Sequence, residues 1–367
     1  MLISTAPSET QPFCKSQCPF PSCFLSCLFV ELARVLGDKG VILFSDVENV
    51  ILKNDRTLTE VFKLFDLIHI LTTDHKTVTR ITKEVVEDFA SENVVYLELR
   101  TTPKRNESIG MSKRSYMEAV IEGLRSVSAV DIDFSASDST PGRSVSSRVP
   151  RNGRDETPRK KIYVRLLLSI DRRESTESAM ETVKLALELR DAGIVGIDLS
   201  GNPCIGEWAT FLPSLEFARD QGLHITLHCG EVPNPKEIYA MLDFRPRRIG
   251  HACFLEGKDW EKLKQYKIPV EICLTSNIVT KSISSIDIHH FADLYNTKHP
   301  LVLCTDDTGV FSTSLSNEYA LAAHSFGLSK KEIFGLARNA IEFTFAEDEV
   351  KRELRLIYDS ASSQYDS

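Results

Sequence analysis

Two stretches of the sequence end an apolar run with side chains that can bind a metal or move a proton. HITLHCGE ends with His228 and Glu231, and PLVLCTDD ends with Asp306 and Asp307. Neutral imidazole and carboxylate are good zinc ligands, and a catalytic zinc takes about three protein ligands plus a water. Glu231 follows His228 closely enough to transfer a proton near such a water. The pattern therefore indicates a metal-dependent hydrolytic site.

These residues also have ordinary structural explanations. A histidine in an apolar strand is more often a satisfied core residue, and Asp306 and Asp307 could face solvent on a loop. We favour the functional interpretation because the residues follow two different strand-like runs. Adjacent like charges at the end of a buried strand are also costly unless one of them meets a cation. His251, which follows a neighbouring run, supplies a further titratable group.

Seven short runs rich in Val, Ile and Leu alternate with helix-like segments. The runs are NVVYLELRTTP, KIYVRLLLSID, GIVGIDLSGNP, HITLHCGE, RRIGHACF, KIPVEICLTSN and HPLVLCTDD. Intervening segments such as STESAMETVKLALELRDAG carry apolar residues at helical spacing, and this one stops at Gly193. Alternating strands and helices predict a parallel sheet covered by helices.

Polar residues at the ends of these runs distinguish between two kinds of parallel sheet. The sequence contains no G-x-G-x-x-G and no Walker loop, which an open nucleotide-binding sheet would usually carry early on. In β/α barrels the active site is built from the carboxyl ends of the strands. We therefore predict an α/β fold, a (β/α)8 TIM barrel of the metal-dependent hydrolase type, with its first strand missing or replaced. That strand is expected before VELARVLG.

The chain is predicted to form one barrel domain over residues 31–360, preceded by an atypical segment, 1–30. The stretch at about 134–160 is rich in Ser, Arg and Pro and has no apolar period, which is typical of a disordered insertion.

Composition excludes several classes of partner. With 367 residues, 42% of them hydrophobic, the chain can bury a full core, and its net charge of −8 disfavours a nucleic-acid partner. No apolar run approaches the length of a membrane span, and the apolar N-terminal stretch lacks the basic region of a signal peptide. We expect a cytosolic monomer without nucleic-acid or membrane partners. Five cysteines in or beside strand-like runs indicate reduced, buried thiols, namely Cys204, Cys229, Cys253, Cys273 and Cys304.

Several motifs in fixed order resemble a known family. HITLHCGE, RIGHA, CLTSN and CTDD are similar to the adenosine/AMP deaminase family of metal hydrolases. YLELRTTPKR, LSIDRRES and CTDDTGVFSTSLSNEY resemble its adenosine deaminase-like branch, the N6-methyl-AMP deaminases, in a plant-like form. The resemblance implies a zinc-dependent hydrolytic deaminase of a small-molecule purine nucleotide. The expected reaction converts N6-methyl-AMP to IMP and methylamine.

The resemblance also implies roles for individual residues. His228 and Asp306 would bind one zinc ion. Glu231 would protonate the purine ring nitrogen next to the attacked carbon, and His251 would orient or deprotonate the attacking water. Asp307 would hold that water and the purine. Further substrate contacts would come from His69, Thr101, Thr102, Pro103, Lys104, Asp171 and the backbone of Gly201, with Lys104 as the phosphate contact.

The N-terminal region departs from the family pattern. The family's first strand ends in His-x-His followed by Leu-Asn-Gly-Ser, and it supplies two zinc ligands. This chain has no histidine before His69, and the two ligands would fall near Gln17 and Pro19. With only two ligands left, the zinc affinity should fall sharply. Thiolates bind zinc well, but the spacing of the nearby cysteines matches no zinc motif, these being Cys14, Cys18, Cys23 and Cys27.

Three hypotheses therefore remain open. The chain is a zinc-dependent N6-methyl-AMP deaminase, a metal-free pseudoenzyme that binds purines, or a plain adenosine deaminase. Zinc content separates the first two, and a comparison of nucleotide with nucleoside as substrate separates the first from the third.

Overall fold

A computed structural model describes residues 2–4, 24–38, 56–72, 74–135 and 159–362. In chain order the helices and strands are β1 (Leu2–Ser4), α1 (Phe24–Asp38), α2 (Leu58–Leu71), α3 (His75–Ser91), β2 (Val94–Thr101), α4 (Lys113–Arg125), β3 (Asp131–Asp133), β4 (Lys161–Asp171), α5 (Thr176–Glu188), β5 (Ile194–Ser200), α6 (Trp208–Asp220), β6 (His224–Cys229), α7 (Pro235–Phe244), β7 (Arg248–His251), α8 (Lys258–Tyr266), β8 (Val270–Ile272), α9 (Leu274–Val279), α10 (Phe291–Asn296), β9 (Leu301–Leu303), α11 (Thr308–Phe311), α12 (Leu315–Phe326), α13 (Lys330–Ala340) and α14 (Asp348–Ala361).

The predicted parallel sheet is present. Strands β2, β4, β5, β6, β7, β8 and β9 lie side by side in this order, and each pair is parallel. All seven apolar runs contain one of these strands, so the α/β barrel-type fold is confirmed. Because the strands are parallel and neighbours in sequence, their carboxyl ends meet at one edge of the sheet. The short β3 pairs with β4 outside this series.

The run KIPVEICLTSN is only partly a strand. Strand β8 ends at Ile272, and the last four letters already belong to helix α9. The chain enters a helix as soon as it leaves the apolar strand, so the polar residues at the end of this run lie on α9. This helix brings Ser276 and Asn277 to the cavity described below.

The described residues do not include the first strand of the barrel. Strand β1 has three residues and pairs with β2 in the antiparallel direction, with Leu2 opposite Leu97. A barrel strand would run parallel to β2, so β1 is not the missing strand. Among the described residues, β1 and β9 end the sheet, and no strand closes the ring between them. VELARVLG lies in α1, while residues 5–23, including Gln17 and Pro19, are outside the described residues.

Most of the predicted insertion also lies outside the described residues, which exclude 136–158. Its first residue, Phe134, is buried in the main core. The backbone carbonyl of Phe134 lies so close to Gly193 that any side chain there would clash, and Gly193 has a φ of 88°. A glycine is therefore required where the chain leaves α5 and enters β5.

A second apolar cluster covers the site edge of the sheet. It joins helices α1, α2 and α11 through Ala33, Val61, Leu64, Val310 and Phe311. Helix α2 begins at a capping box in which Thr57 and Glu60 satisfy each other's backbone N–H groups. This fixed start sets the position of His69, which lies two residues before the helix ends at Leu71.

The cysteine prediction holds for most of the positions named. Cys229, Cys273 and Cys304 are buried free thiols, and Cys253 is partly buried. Cys204 is exposed, so the prediction was wrong for this residue, because it lies in the loop after β5 and not in the strand. None of the helices in the described part of the chain has the length and apolar character needed to cross a membrane.

Candidate active site

The carboxyl ends of the strands surround a cavity of about 540 Å³. Strand ends and helix α2 contribute its walls. The residues named from the sequence that line it are His69, Thr101, Thr102, Lys104, Asp171, Gly201, His228, Glu231, His251, Asp306 and Asp307. Pro103 is buried and does not line the cavity. The strand ends therefore bring nearly all candidate residues to one place.

His228 is held by a carboxylate from the neighbouring strand. Its Nδ1 lies 3.1 Å from Oδ1 of Asp198, which is fully buried on β5. Burial lowers the pKa of His228, but the charge of Asp198 and their hydrogen bond outweigh it and raise that pKa to about 10. Because Nδ1 donates a hydrogen bond to Asp198, Nε2 is the ring atom of His228 that a metal would bind, in place of the proton that the raised pKa keeps there.

His251 and Asp306 complete a cluster with His228. One ligand atom from each of these three residues lies within 4.8 Å of the others. His251 and Asp306 both adopt the left-handed backbone region, with φ of 65° and 56°. Residues other than glycine rarely adopt this conformation, and such strain concentrates at functional sites.

Two further carboxylates lie beside the cluster. Oε1 of Glu231 is 3.7 Å from Nε2 of His251. Oδ2 of Asp306 accepts a hydrogen bond of 2.7 Å from Ser276. Although Asp307 is exposed to the cavity, the surrounding protein and the charge of Asp306 raise its pKa to about 8. Adjacent carboxylates of this kind are stabilised by a cation.

The donor set fits a zinc-type ion in chemistry and falls short in number. Imidazole nitrogen and carboxylate oxygen are the ligands that such an ion prefers. Within the described residues, His228, His251 and Asp306 are the group that could hold it. If His251 contacts the attacking water and not the ion, only two ligands remain among the described residues, one fewer than the usual three.

A cationic region lies at another part of the cavity. Arg173 contacts Nε2 of His69 at 3.0 Å and the carboxylates of Asp66 and Asp171 at 3.0 Å and 2.7 Å. Nζ of Lys104 donates to Thr72 at 2.8 Å.

The pKa values of Lys104 and His69 are lowered mainly by burial, and the neighbouring cations add to the effect. Burial and the charge of Arg173 lower the pKa of Lys104 to about 8. Burial and the charges of Lys104 and Arg173 lower the pKa of His69 to about 4. A group that is difficult to protonate beside two cations indicates a place suited to an anion.

Gly201 lies between these two regions. Its φ is 97°, and a Cβ there would lie 3.0 Å from Oδ1 of Asp171. Only glycine allows the backbone to pass this close to the cavity wall.

The barrel interior below the cavity is charged rather than apolar. Arg248 on β7 hydrogen-bonds to Glu98 and, at 2.7 Å, to Glu271, and all three residues are buried. Arg100 pairs with Glu271 and lies 3.6 Å from Asp198. This network fixes Asp198, and through it His228, from below.

Several of these residues were not predicted from the sequence. Asp198 and Arg100 lie inside strands, two residues before the end of β5 and one residue before the end of β2. Arg173 lies two residues after Asp171 in LSIDRRES, a stretch that pointed to the family but not to this side chain. Alternation along the strands could have found Asp198, because it shares the inward face of β5 with Ser200.

Comparisons with known proteins agree on one family. Residues 43–359 match the family model described as adenosine deaminase. The chain is 77% identical over 337 residues to N6-mAMP deaminase of Arabidopsis thaliana, covering 92% of this chain and 93% of the relative. It is 37% identical to N6-methyl-AMP deaminase of Homo sapiens, covering 88% and 86%. The structure of Arabidopsis ADAL complexed with IMP superposes with a TM-score of 0.85 at 73% identity, covering 93% of this chain and 95% of that one.

Proposed function

Because the chain belongs to the adenosine deaminase family and is an aminohydrolase, we propose that it hydrolyses N6-methyl-AMP to IMP and methylamine with the help of zinc. The observation that supports this substrate is the pairing of two regions in one cavity. His228, Asp306 and Glu231 suit hydrolysis at a purine ring, and Lys104 beside Arg173 suits the phosphate of a nucleotide.

His228 and Asp306 are the residues that would hold the ion. A zinc ion bound there would supply the Lewis acidity that activates water for attack on the purine. Asp198 accepts a hydrogen bond from Nδ1 of His228 and so directs the Nε2 atom to the ion. Ser276 orients Asp306 through a hydrogen bond of 2.7 Å. Outer partners of this type set the geometry and basicity of the ligands.

Glu231 is the proposed proton donor to the purine. It follows Gly230, whose φ of 71° turns the chain sharply after β6 and directs Glu231 to the cavity. Protonation of the ring nitrogen would absorb the electrons that the attacking oxygen pushes into the ring. His251 and Asp307 would bind the attacking water from the side of the cluster, and Gly201 would meet the other edge of the purine.

Lys104, with Thr101, Thr102 and His69, is proposed to receive the ribose phosphate. A phosphate dianion beside Lys104 would stabilise the charged form of this lysine. It would thereby offset the free-energy cost of burying an ammonium group near Arg173. The exocyclic nitrogen would leave together with its methyl group as methylamine. One N6-methyl-AMP and one water would thus give one IMP and one methylamine.

One observation favours a second function. No histidine precedes His69, so the family's His-x-His ligands are absent from the sequence. A purine-nucleotide-binding protein that holds zinc weakly would retain the cavity and its cationic region. Within the first hypothesis, this absence predicts weak zinc binding and slow turnover.

The test measures both binding and turnover on the purified chain with excess zinc. N6-methyl-AMP, AMP, N6-methyladenosine and adenosine are compared, and methylamine, ammonia and the purine product are quantified. We expect methylamine and IMP in equal amounts and a preference for the nucleotides. Binding of IMP without turnover would support the pseudoenzyme, and equal rates on nucleotide and nucleoside would support a plain adenosine deaminase.

A further inference from the structure

His251 is buried in the wall of the cavity and is held from behind. Its Nδ1 lies 3.1 Å from Nδ2 of Asn277 on helix α9, while its Nε2 faces the cavity near Glu231. Only about 5% of His251 and 2% of Asn277 are exposed, so water does not compete for this hydrogen bond. A neutral imidazole carries one proton, and its position decides what His251 can do.

The proton positions can be derived from a fixed donor. The backbone N–H of Phe291 points at Nδ1 of His289, with an N to Nδ1 distance of 3.0 Å. A backbone N–H can only donate, so Nδ1 of His289 accepts. Burial and the neighbouring His290 lower the pKa of His289 to about 3, which keeps its ring neutral. The single proton of His289 is therefore on Nε2.

This proton orients the amide of Asn277. Nε2 of His289 lies 3.1 Å from Oδ1 of Asn277. A ring N–H needs an acceptor, so the oxygen of the amide must face His289 and the NH2 group must face His251. The NH2 group can only donate, so Nδ1 of His251 accepts, and the proton of His251 is on Nε2.

We propose that His289 and Asn277 are positioning residues that hold His251 in the tautomer whose proton is on Nε2. In this tautomer His251 presents an N–H to the cavity. It can donate to the attacking oxygen or to Glu231, and it cannot coordinate a metal through the same atom. The consequence for catalysis rests on the proposed function, whereas the tautomer itself does not.

The other protonation states of His251 are disfavoured by the same contacts. A proton on Nδ1 would face the NH2 group of Asn277, and two buried donors would oppose each other. Rotating the amide to accept from His251 would instead place its NH2 group against Nε2–H of His289. Each alternative leaves buried polar groups unpaired, which native proteins avoid. His251 therefore orients the water and does not take its proton.

The first experiment is direct and uses the unaltered full chain. Imidazole nitrogens that carry a proton are distinguished from those that do not by 15N–1H correlation spectra of protein labelled at histidine. We expect the signal of His251 to show a protonated Nε2 and a bare Nδ1. A protonated Nδ1 on His251 would overturn the proposal, whether or not the chain has deaminase activity.

The second experiment reverses the tautomer. In Asn277→Asp, a carboxylate can accept from both histidines, so the proton of His251 should move to Nδ1 and its Nε2 should become bare. That Nε2 would then join His228 and Asp306 as a third ligand, since the three ligand atoms lie within 4.8 Å. We expect zinc affinity, titrated with the metal alone, to rise about tenfold or more. A general packing defect would lower it, and an unchanged or lower affinity would contradict the proposal.

The same variant should lose turnover while binding nucleotide normally. A catalytic histidine held in the wrong tautomer loses about 10⁴ in kcat in the serine-protease example, and we expect roughly 10²–10⁴ here with little change in KM. His289→Gln keeps a donor toward Asn277 and should retain most of the turnover. His289→Phe removes this donor and should lose most of the turnover.

His299→Phe is the matched control. His299 is also buried, and its Nε2 lies 2.8 Å from the carbonyl of Ile268, away from the cavity. Both phenylalanine variants should lose stability, but only His289→Phe should change the signals of His251. Equal changes in both variants would show that His289 has only a structural role. If Asn277→Asp does not fold, the spectrum of the unaltered chain decides.

Discussion

Lys104 carries the sharpest prediction about substrate choice. Its ammonium group is largely buried, donates to Thr72 at 2.8 Å and lies in the field of Arg173, so its pKa is lowered to about 8. We propose that it contacts the phosphate. Replacing it in Lys104→Met removes the charge and keeps most of the apolar stem.

The expected loss of affinity follows from the strength of a charge-assisted hydrogen bond. Such a contact contributes about 1.5–3 kcal/mol, which corresponds to a roughly 10- to 150-fold loss. Calorimetric titration with IMP and with inosine measures it without requiring turnover. IMP should lose affinity by this factor, and inosine should bind almost unchanged.

The affinity of the unaltered chain for IMP should also depend on pH. Lys104 is charged below its pKa of about 8 and becomes neutral above it. IMP affinity should therefore fall as the pH rises from 7 to 9, while inosine affinity should not follow the same curve. Lys104→Met should lack this dependence.

The stability of the folded chain provides an independent check. The pKa of Lys104 is lowered from 10.5 to about 8, so charging this group in the folded state costs about 3 kcal/mol. This destabilisation is fully present below pH 8 and is relieved as the pH rises toward 10.5, because the unfolded chain binds more protons in that window. Lys104→Met should therefore be as stable as the unaltered chain at pH 7, or more stable.

Lys113→Met is the control for loss of a buried lysine. Lys113 pairs with Glu174 at 2.8 Å and Thr182 at 2.7 Å and does not line the cavity. Its removal should destabilise the fold and leave the ratio of IMP to inosine affinity unchanged. Equal losses of IMP and inosine affinity in Lys104→Met would refute the phosphate role.

Three further predictions concern the rest of the site. Glu231→Gln should fold normally and lose about 10²–10⁴ in kcat, the usual share of a general acid, and near-normal turnover would remove Glu231 from the mechanism. Asp198→Asn should weaken zinc binding by about 10- to 100-fold, because His228 loses its carboxylate partner, and a calorimetric zinc titration would detect it. Arg248→Met removes the cation that Glu98 and Glu271 share, leaving Glu271 with Arg100, and should cost about 3–5 kcal/mol in denaturant unfolding, whereas a change below 1 kcal/mol would show that the network is dispensable.

The sequence predicted the sheet because its strands are long apolar runs with polar residues directly after them. That signal depends on the alternation of strand and helix, and it holds in KIPVEICLTSN, where a helix begins directly after the short strand. It could also locate His228, Glu231, His251 and Asp306, because the ends of parallel strands converge whatever the loops do.

Other features of the site depend on contacts that no local pattern records. Arg173 reaches from the turn after β4 to His69 on α2, and His289 reaches Asn277 across a loop, so both contacts depend on tertiary packing. Charged residues inside strands, such as Arg100 and Arg248, would ordinarily be assigned to a solvated face. Their burial becomes clear only when their carboxylate partners on other strands are known.

We propose that His228 and Asp306 belong to a zinc site without the two histidines of the family's first strand. The most direct measurement compares zinc content and methylamine release of the unaltered chain with a variant whose residues 1–30 are replaced by a segment carrying Leu-His-Ala-His-Leu-Asn-Gly-Ser. We expect one tightly bound zinc per chain and equal yields of IMP and methylamine in the variant, with weak zinc binding and slow methylamine release in the unaltered chain. Full zinc occupancy and equal turnover in the unaltered chain would contradict this proposal.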